Sequence, residues 1–115
     1  SRLKKNIIYT REIKFNLGSN FSMKVNDIVT SHKKVKVFSH LGSNYKWQKK
    51  KRNLFQINKF HLILEDGINN VDITDKTYSL GNKVLKNGSA INWEVLENNL
   101  DGKNSSYFSS WHLYK

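Results

Sequence analysis

The sequence predicts an all-β protein, and three observations carry that expectation. Apolar residues return at every second position in several separate stretches. Between them the chain is punctuated by fifteen Asn and six Gly, with no Pro. No stretch has the three-to-four spacing of an amphipathic helix. Seven or eight short strands follow from this pattern. Such a chain must close into a small barrel, fully or in part, or pair two sheets to protect its strand edges. A length of 115 residues sets the expectation of one domain over 1–115 with one core.

The strands are taken in chain order. From residue 7 to 17, Ile7, Tyr9, Ile13, Phe15 and Leu17 alternate with Ile8, Thr10, Glu12, Lys14 and Asn16, with Arg11 the one polar intruder on the apolar face. Gly18-Ser19-Asn20 turns the chain, and Phe21, Met23 and Val25 open a second strand that runs to Val29. Lys33 to Leu41 alternates again, with Val35, Val37 and Leu41 inward and Lys34, Lys36, Phe38 and His40 outward. Residues 42–52 read as a polar, basic loop. Phe55 to Glu65 reads as one long strand, with Phe60, Leu62 and Leu64 on one face and Ile57, Lys59, His61 and Ile63 on the other. Asp66-Gly67 signals a hairpin turn into a strand with Val71 and Ile73. Tyr78 to Leu85 suits a short helix or another strand, and Asn87-Gly88 a turn. Ala90 to Leu96 is a strand with Ile91, Trp93 and Val95 inward. Asp101-Gly102 turns the chain once more, and Tyr107 to Tyr114 closes it with Ser109, Trp111 and Leu113 on one face.

Composition removes several function classes. Without cysteine there are no disulfides, thiolate metal sites or cysteine nucleophiles. No apolar run approaches the ~18 residues of a membrane-spanning helix. His32, His40, His61 and His112 lack short metal-ligand spacing and read as surface histidines. Glu65, Asp66, Asp72 and Asp75 read as turn chemistry rather than a cation site. No Ser/His/Asp elbow, phosphate-cradling glycine loop or catalytic carboxylate pair is present, so no catalytic residue, metal or cofactor is expected. Sequons at Asn20, Asn87 and Asn104 are what chance yields in so Asn-rich a chain.

Charge is the strongest functional signal. The formal net charge is +11. Residues 1–60 hold fifteen basic and two acidic side chains, residues 61–115 five and seven. The positive field of the first half favours a polyanion. It peaks in Tyr45-Lys46-Trp47-Gln48-Lys49-Lys50-Lys51-Arg52, where five cations surround two rings. Cations contact phosphates and flat rings stack unpaired bases, at about 1–3 kcal/mol per base. Trp47 lies outside any apolar alternation and between cations, so it is expected at the surface. Lys33, Lys34, Lys36, Phe38 and His40 repeat the combination on the preceding strand. Lys49–Arg52 also has the composition of a nuclear-import signal, which places the protein inside the cell, and in the nucleus of a eukaryote.

The segment Val35–Thr74 resembles the first three strands of an OB-fold domain of the replication protein A and telomere end-binding type. The pattern is Val-Lys-Val-Phe, a basic loop, then Phe60-His61-Leu62-Ile63-Leu64-Glu65-Asp66-Gly67, then Val71-Asp72-Ile73. The tail Ser105–Leu113 is similar to the closing Ser/Trp strand of some telomere end-binding domains. Together these cover about half of the chain. The strand at 7–17 is then an N-terminal addition, and the helix after the third strand falls on Asp75–Lys86. The resemblance implies an OB-like barrel that binds a single strand across its second and third strands, under the loop after the first. It assigns stacking to Tyr45, Trp47 and Phe38. Phosphate contacts fall to Lys33, Lys34, Lys36, Lys46, Lys49, Lys50, Lys51, Arg52 and Lys59, with His61 beside them. Val35, Val37, Phe60, Leu62, Leu64, Val71, Ile73, Trp93 and Trp111 are expected in the core. The reading is a non-catalytic binder of single-stranded DNA or RNA, with a protein partner in a larger complex as a further expectation. Its rivals are a protein-interaction or assembly β-module and a surface β-sandwich that binds anionic glycan or membrane.

Overall fold

The computed structural model describes residues 7–18, 20–79, 85–98 and 104–115. The fold is all-β, with no helix among the described residues. Nine strands form: β1 (Ile7–Asn16), β2 (Ser22–Ser31), β3 (Val37–Ser43), β4 (Gln48–Lys51), β5 (Leu54–Ile57), β6 (Phe60–Leu64), β7 (Ile68–Ser79), β8 (Leu85–Val95) and β9 (Ser105–Tyr114). They make two antiparallel sheets, a large one in the order β1-β2-β9-β6-β5-β4 and a small one in the order β3-β8-β7. The sheets face each other without closing into a barrel.

One core cluster joins the sheets. Val25, Phe55, Ile57, Leu62, Leu64, Tyr107 and Trp111 come from the large sheet, Ile91, Trp93 and Val95 from β8. Trp93 meets Trp111 edge to face at 6.4 Å. Side chains directly opposite in neighbouring strands share a face. Met23, Val25, Asp27, Val29 and Ser31 therefore share the inner face of the large sheet with Leu113, Trp111, Ser109, Tyr107 and Ser105. The expected inward residues Ile91, Trp93, Val95, Leu62, Leu64 and Trp111 are buried. Val35, Val37, Phe60 and Val71 pack half-buried against the cluster. Ile73 does not join them: it lies on the edge strand β7 and is 36% exposed.

Several local expectations are corrected. Phe55–Glu65 is not one strand but the β5–β6 hairpin, because Asn58 takes a left-handed φ of 50° and reverses the chain. Asparagine tolerates that conformation better than most residues. Ile57 and Phe60 then stand opposite each other on the inner face. Asp66-Gly67 is a turn but closes no hairpin; it carries the chain from β6 in the large sheet to β7 in the small one. Two backbone bonds fix this corner, Ser110 N–H to Asp66 O at 3.1 Å and Leu96 N–H to Gly67 O at 2.8 Å. The stretch 75–79 is strand rather than helix, and 80–84 lie outside the described residues. Asn87-Gly88 lies within β8, paired with Thr77 and Lys76, because ladder bonds satisfy backbone groups that a turn would leave to solvent. Asp101-Gly102 and Ser19 of the first turn fall outside the described residues. That first turn is steadied by Gly18 N–H donating to Asn16 Oδ1 at 3.1 Å.

Gly67 is the residue this topology most needs. Its φ is +72°, and a Cβ there would strike the Phe108 carbonyl of β9. Gly67→Ala is expected to cost about 1–3 kcal/mol from the strained backbone alone, with the clash added. Urea unfolding followed by far-UV circular dichroism checks this. An unchanged midpoint would mean that the corner is not as tight as described.

Candidate nucleic-acid interface

Three loops position the charged and aromatic side chains. The β2–β3 connection presents Lys33, Lys34 and Lys36, all exposed. It is pinned at both ends, by Lys33 N–H to Ser31 Oγ at 3.2 Å and by Val35 N–H to the Tyr107 hydroxyl at 2.9 Å. Lys34 reaches Glu97 at 3.8 Å. The β3–β4 connection is organised by Ser89, a fully buried hydroxyl on β8. Trp47 N–H donates to Ser89 Oγ at 2.7 Å, and that hydroxyl donates to Tyr45 O at 3.1 Å. The third loop is the β5–β6 turn, which presents Lys59.

Trp47 is the main correction to the expected site. Its side chain is in the core, 7% exposed, and its Nε1 donates to Leu41 O at 3.2 Å. Burial drags no charge inward, because its neighbours stay outside: Lys46 points to Asp75 at 2.8 Å and to Gly88 O at 3.1 Å, and Gln48 is exposed. With both N–H groups satisfied, the ring costs no orphaned donor. Trp47 is therefore no stacking platform, and Lys46 is already engaged. Phe38 at 67% and Tyr45 at 50% exposure remain at the surface.

Lys49, Lys50 and Lys51 form the exposed edge strand β4, and exposed Arg52 follows it. Lysines on an edge strand also discourage edge-to-edge pairing with other chains. The ladder places more of the same chemistry on the outer face of the large sheet. One cross-strand row runs Lys14, Lys24, His112, Ile63, Leu54, Lys51. The row beside it runs Asn16, Ser22, Tyr114, His61, Gln56, Gln48. Tyr114 stacks on His61 at 5.2 Å and 20°, and His112 lies tilted at 5.3 Å from the same ring. The Nδ1 of His61 has no partner in the protein. Glu12 and Glu65 are the acidic neighbours, each 3.8 Å from Lys14 and Lys24 respectively. His61 thus belongs to an aromatic–imidazole ladder with Tyr114, which the sequence reading passed over, and His112, which it read only as a surface histidine. The polar phase of the last strand is the signal that locates Tyr114 and His112.

On the inner side, Arg11 is paired rather than intrusive. Its Nε and Nη2 donate to Asp27 Oδ1 and Oδ2 at 2.6 and 3.0 Å, and the Tyr9 hydroxyl donates to Oδ1 at 3.0 Å. Asp27 is 3% exposed, so this fork is what allows a carboxylate there. The hydrogen bond to Asp27 holds the Arg11 guanidinium above its ordinary pKa. Burial, then the Asp27 contacts, raises the Tyr9 phenol. Among the described residues no group of three or more His, Asp or Glu is placed to hold a metal ion. Among the described residues no helix is long and apolar enough to cross a membrane. No protein-family model, curated protein or solved structure matches the chain.

Trp47→Ala is expected to lower stability by about 3–5 kcal/mol, as large core truncations do. Phe38→Ala, at an exposed site, should change it by less than about 0.5 kcal/mol. Thermal unfolding of the pair separates them, and a stable Trp47→Ala protein would return that ring to the surface. The Tyr9 shift has a sign as well. A phenol held protonated in the fold adds stability below pH 10, and that stability is lost as the pH rises through the raised value. Tyr9→Phe should therefore flatten the alkaline limb of a stability–pH curve.

Proposed function

We propose that this protein is a non-catalytic binding module for single-stranded nucleic acid, DNA or RNA. The observation that supports it most is the outer face of the large sheet. There the Tyr114–His61–His112 ladder stands between lysines of β2 and β4. Rings of this kind accept unstacked bases, and cations on either side track the backbone. Lys59 and Arg52 extend the positive rim at the ends of β5, and Lys49 and Lys50 extend it along β4. Lys33, Lys36 and Phe38 offer a second basic-aromatic patch at the start of β3. The OB-type pattern in Val35–Thr74 adds the expectation that the bases are unpaired. Duplexes hide their π faces, so a flat sheet presenting rings favours single strands.

Titration of labelled single-stranded and duplex oligonucleotides at several salt concentrations tests the proposal. Neutralising about four to six phosphates gives log K against log salt a slope of about −3 to −4 on a single strand. Lys49→Ala, Lys50→Ala and Lys51→Ala together should flatten that slope. Tyr114→Ala should cost about 1–3 kcal/mol of binding without changing the slope. Affinity equal for duplex and single strand, or indifferent to salt, would refute the proposal.

A further inference from the structure

The two sheets differ in width, and the uncovered part of the wider one is not polar. On β1, at the edge of the large sheet, Ile7, Tyr9, Ile13 and Phe15 share a face and are 43%, 57%, 43% and 59% exposed. Their cross-strand partners Val25 and Val29 continue that face into the core. Across the gap, among the described residues, β3 pairs with β8 alone. Its other edge therefore presents N–H and C=O groups outside the ladder, while Leu41 O accepts from Trp47 Nε1.

A seam follows this edge. A cavity of about 350 Å³ borders Val37 to Leu41 and faces Tyr9, Arg11, Asp27 and Val29. A second, of about 200 Å³, borders Leu41 to Ser43 and faces Met23 and Leu113. Consecutive β3 residues line both, inward and outward side chains alike, so the seam runs along the strand's backbone edge. Trp93 and Trp111 also line the first cavity; they are 1% and 2% exposed, and neither Nε1 has an acceptor in the protein. The Ser109 hydroxyl, opposite Asp27 on β9, is likewise buried without a partner. Buried donors left in this state are costly, so a group that brings acceptors is favoured there.

We propose that this seam is a β-augmentation site, in which an extended segment of a second polypeptide adds to the free edge of β3 as a fourth strand of the small sheet. The added backbone completes the β3 ladder, and its alternate side chains cover Tyr9 and Val29. Strand β3 spans seven residues, which at ~3.3 Å per residue is about 23 Å of edge. The charge pattern selects the partner. Inside the seam Arg11 and Asp27 neutralise each other. Lys33 and Lys36 stand just before β3. The fitting segment is apolar at alternate positions and acidic at the end that meets Lys33 and Lys36. A second copy of this chain fits poorly, since two molecules of net charge +11 repel.

The test is an array of peptides of about seven to nine residues. Every peptide carries one acidic end and β-branched or aromatic residues varied at alternate positions. Binding to the whole protein is read by fluorescence anisotropy. The best peptide should bind, its scrambled version should not, and N-methylation of alternate amides on one edge should abolish binding by removing ladder donors. Tyr9→Ser with Phe38→Ser, both lining the first cavity, should weaken it about tenfold. Both side chains are exposed, so the fold should survive, and the N-methyl comparison uses the unaltered protein. The proposal is overturned if no array member binds at about 1 mM. It is equally overturned if scrambled and N-methylated peptides bind as well, or if the double variant binds unchanged.

Discussion

Six strands face three, and most of this molecule's surface chemistry follows from that mismatch. Two facing sheets bury apolar side chains only where they overlap. The small sheet contributes Ile91, Trp93 and Val95, which meet Val25, Leu62, Leu64 and Trp111 across the gap. Trp47 and Ser89 hold the β3–β4 corner onto this core, and Gly67 holds the β6–β7 corner. Each corner is a crossing between sheets, so each constrains where the next strand can lie. Beyond the overlap, the inner face of β1 keeps its apolar alternation, and Ile7, Tyr9, Ile13 and Phe15 stay exposed.

The two exposed ends of the large sheet differ in character. At β4 the edge is lysine, polar and short. At β1 it is ten residues long and apolar on its inner face. The Arg11–Asp27–Tyr9 cluster divides that face, placing a closed set of charges between Tyr9 and Ile13. A saturated fork of this kind pins β1 to β2 while leaving the seam electrically neutral. The outer face of the same sheet has the opposite bias, with lysines and imidazoles around Tyr114. Polyanion contact and strand addition thus draw mainly on different faces and share Lys33, Lys36 and Phe38.

Much of the architecture was legible in alternation alone. Strands β1, β2, β3 and β9, and the inner phase of β8, follow from apolar residues at every second position. What alternation misjudged were features decided by single residues or by distant ones. Asn58 reverses a run that reads as continuous, and no period reveals a left-handed φ. Trp47 reads as exposed because its sequence neighbours are charged, yet Ser89 and Leu41, remote in the chain, supply what its N–H groups need. Asn87-Gly88 reads as a turn, but pairing with β7 outweighs its local preference. Of the site, the cations and Phe38 were legible by composition. The Tyr114–His61 stack was not, since it depends on the β6–β9 register.

The central claim is that, among the described residues, β3 and β1 are free edges bordering an unfilled seam. Native-state hydrogen exchange measured residue by residue tests it most directly. The account predicts the slowest amides in β9, β6 and β8, and an alternating pattern along β3, with amides bonded to β8 protected and those on the other edge exchanging fast. Uniformly slow exchange at every amide of β3 would show that its second edge is already paired, and would contradict the account.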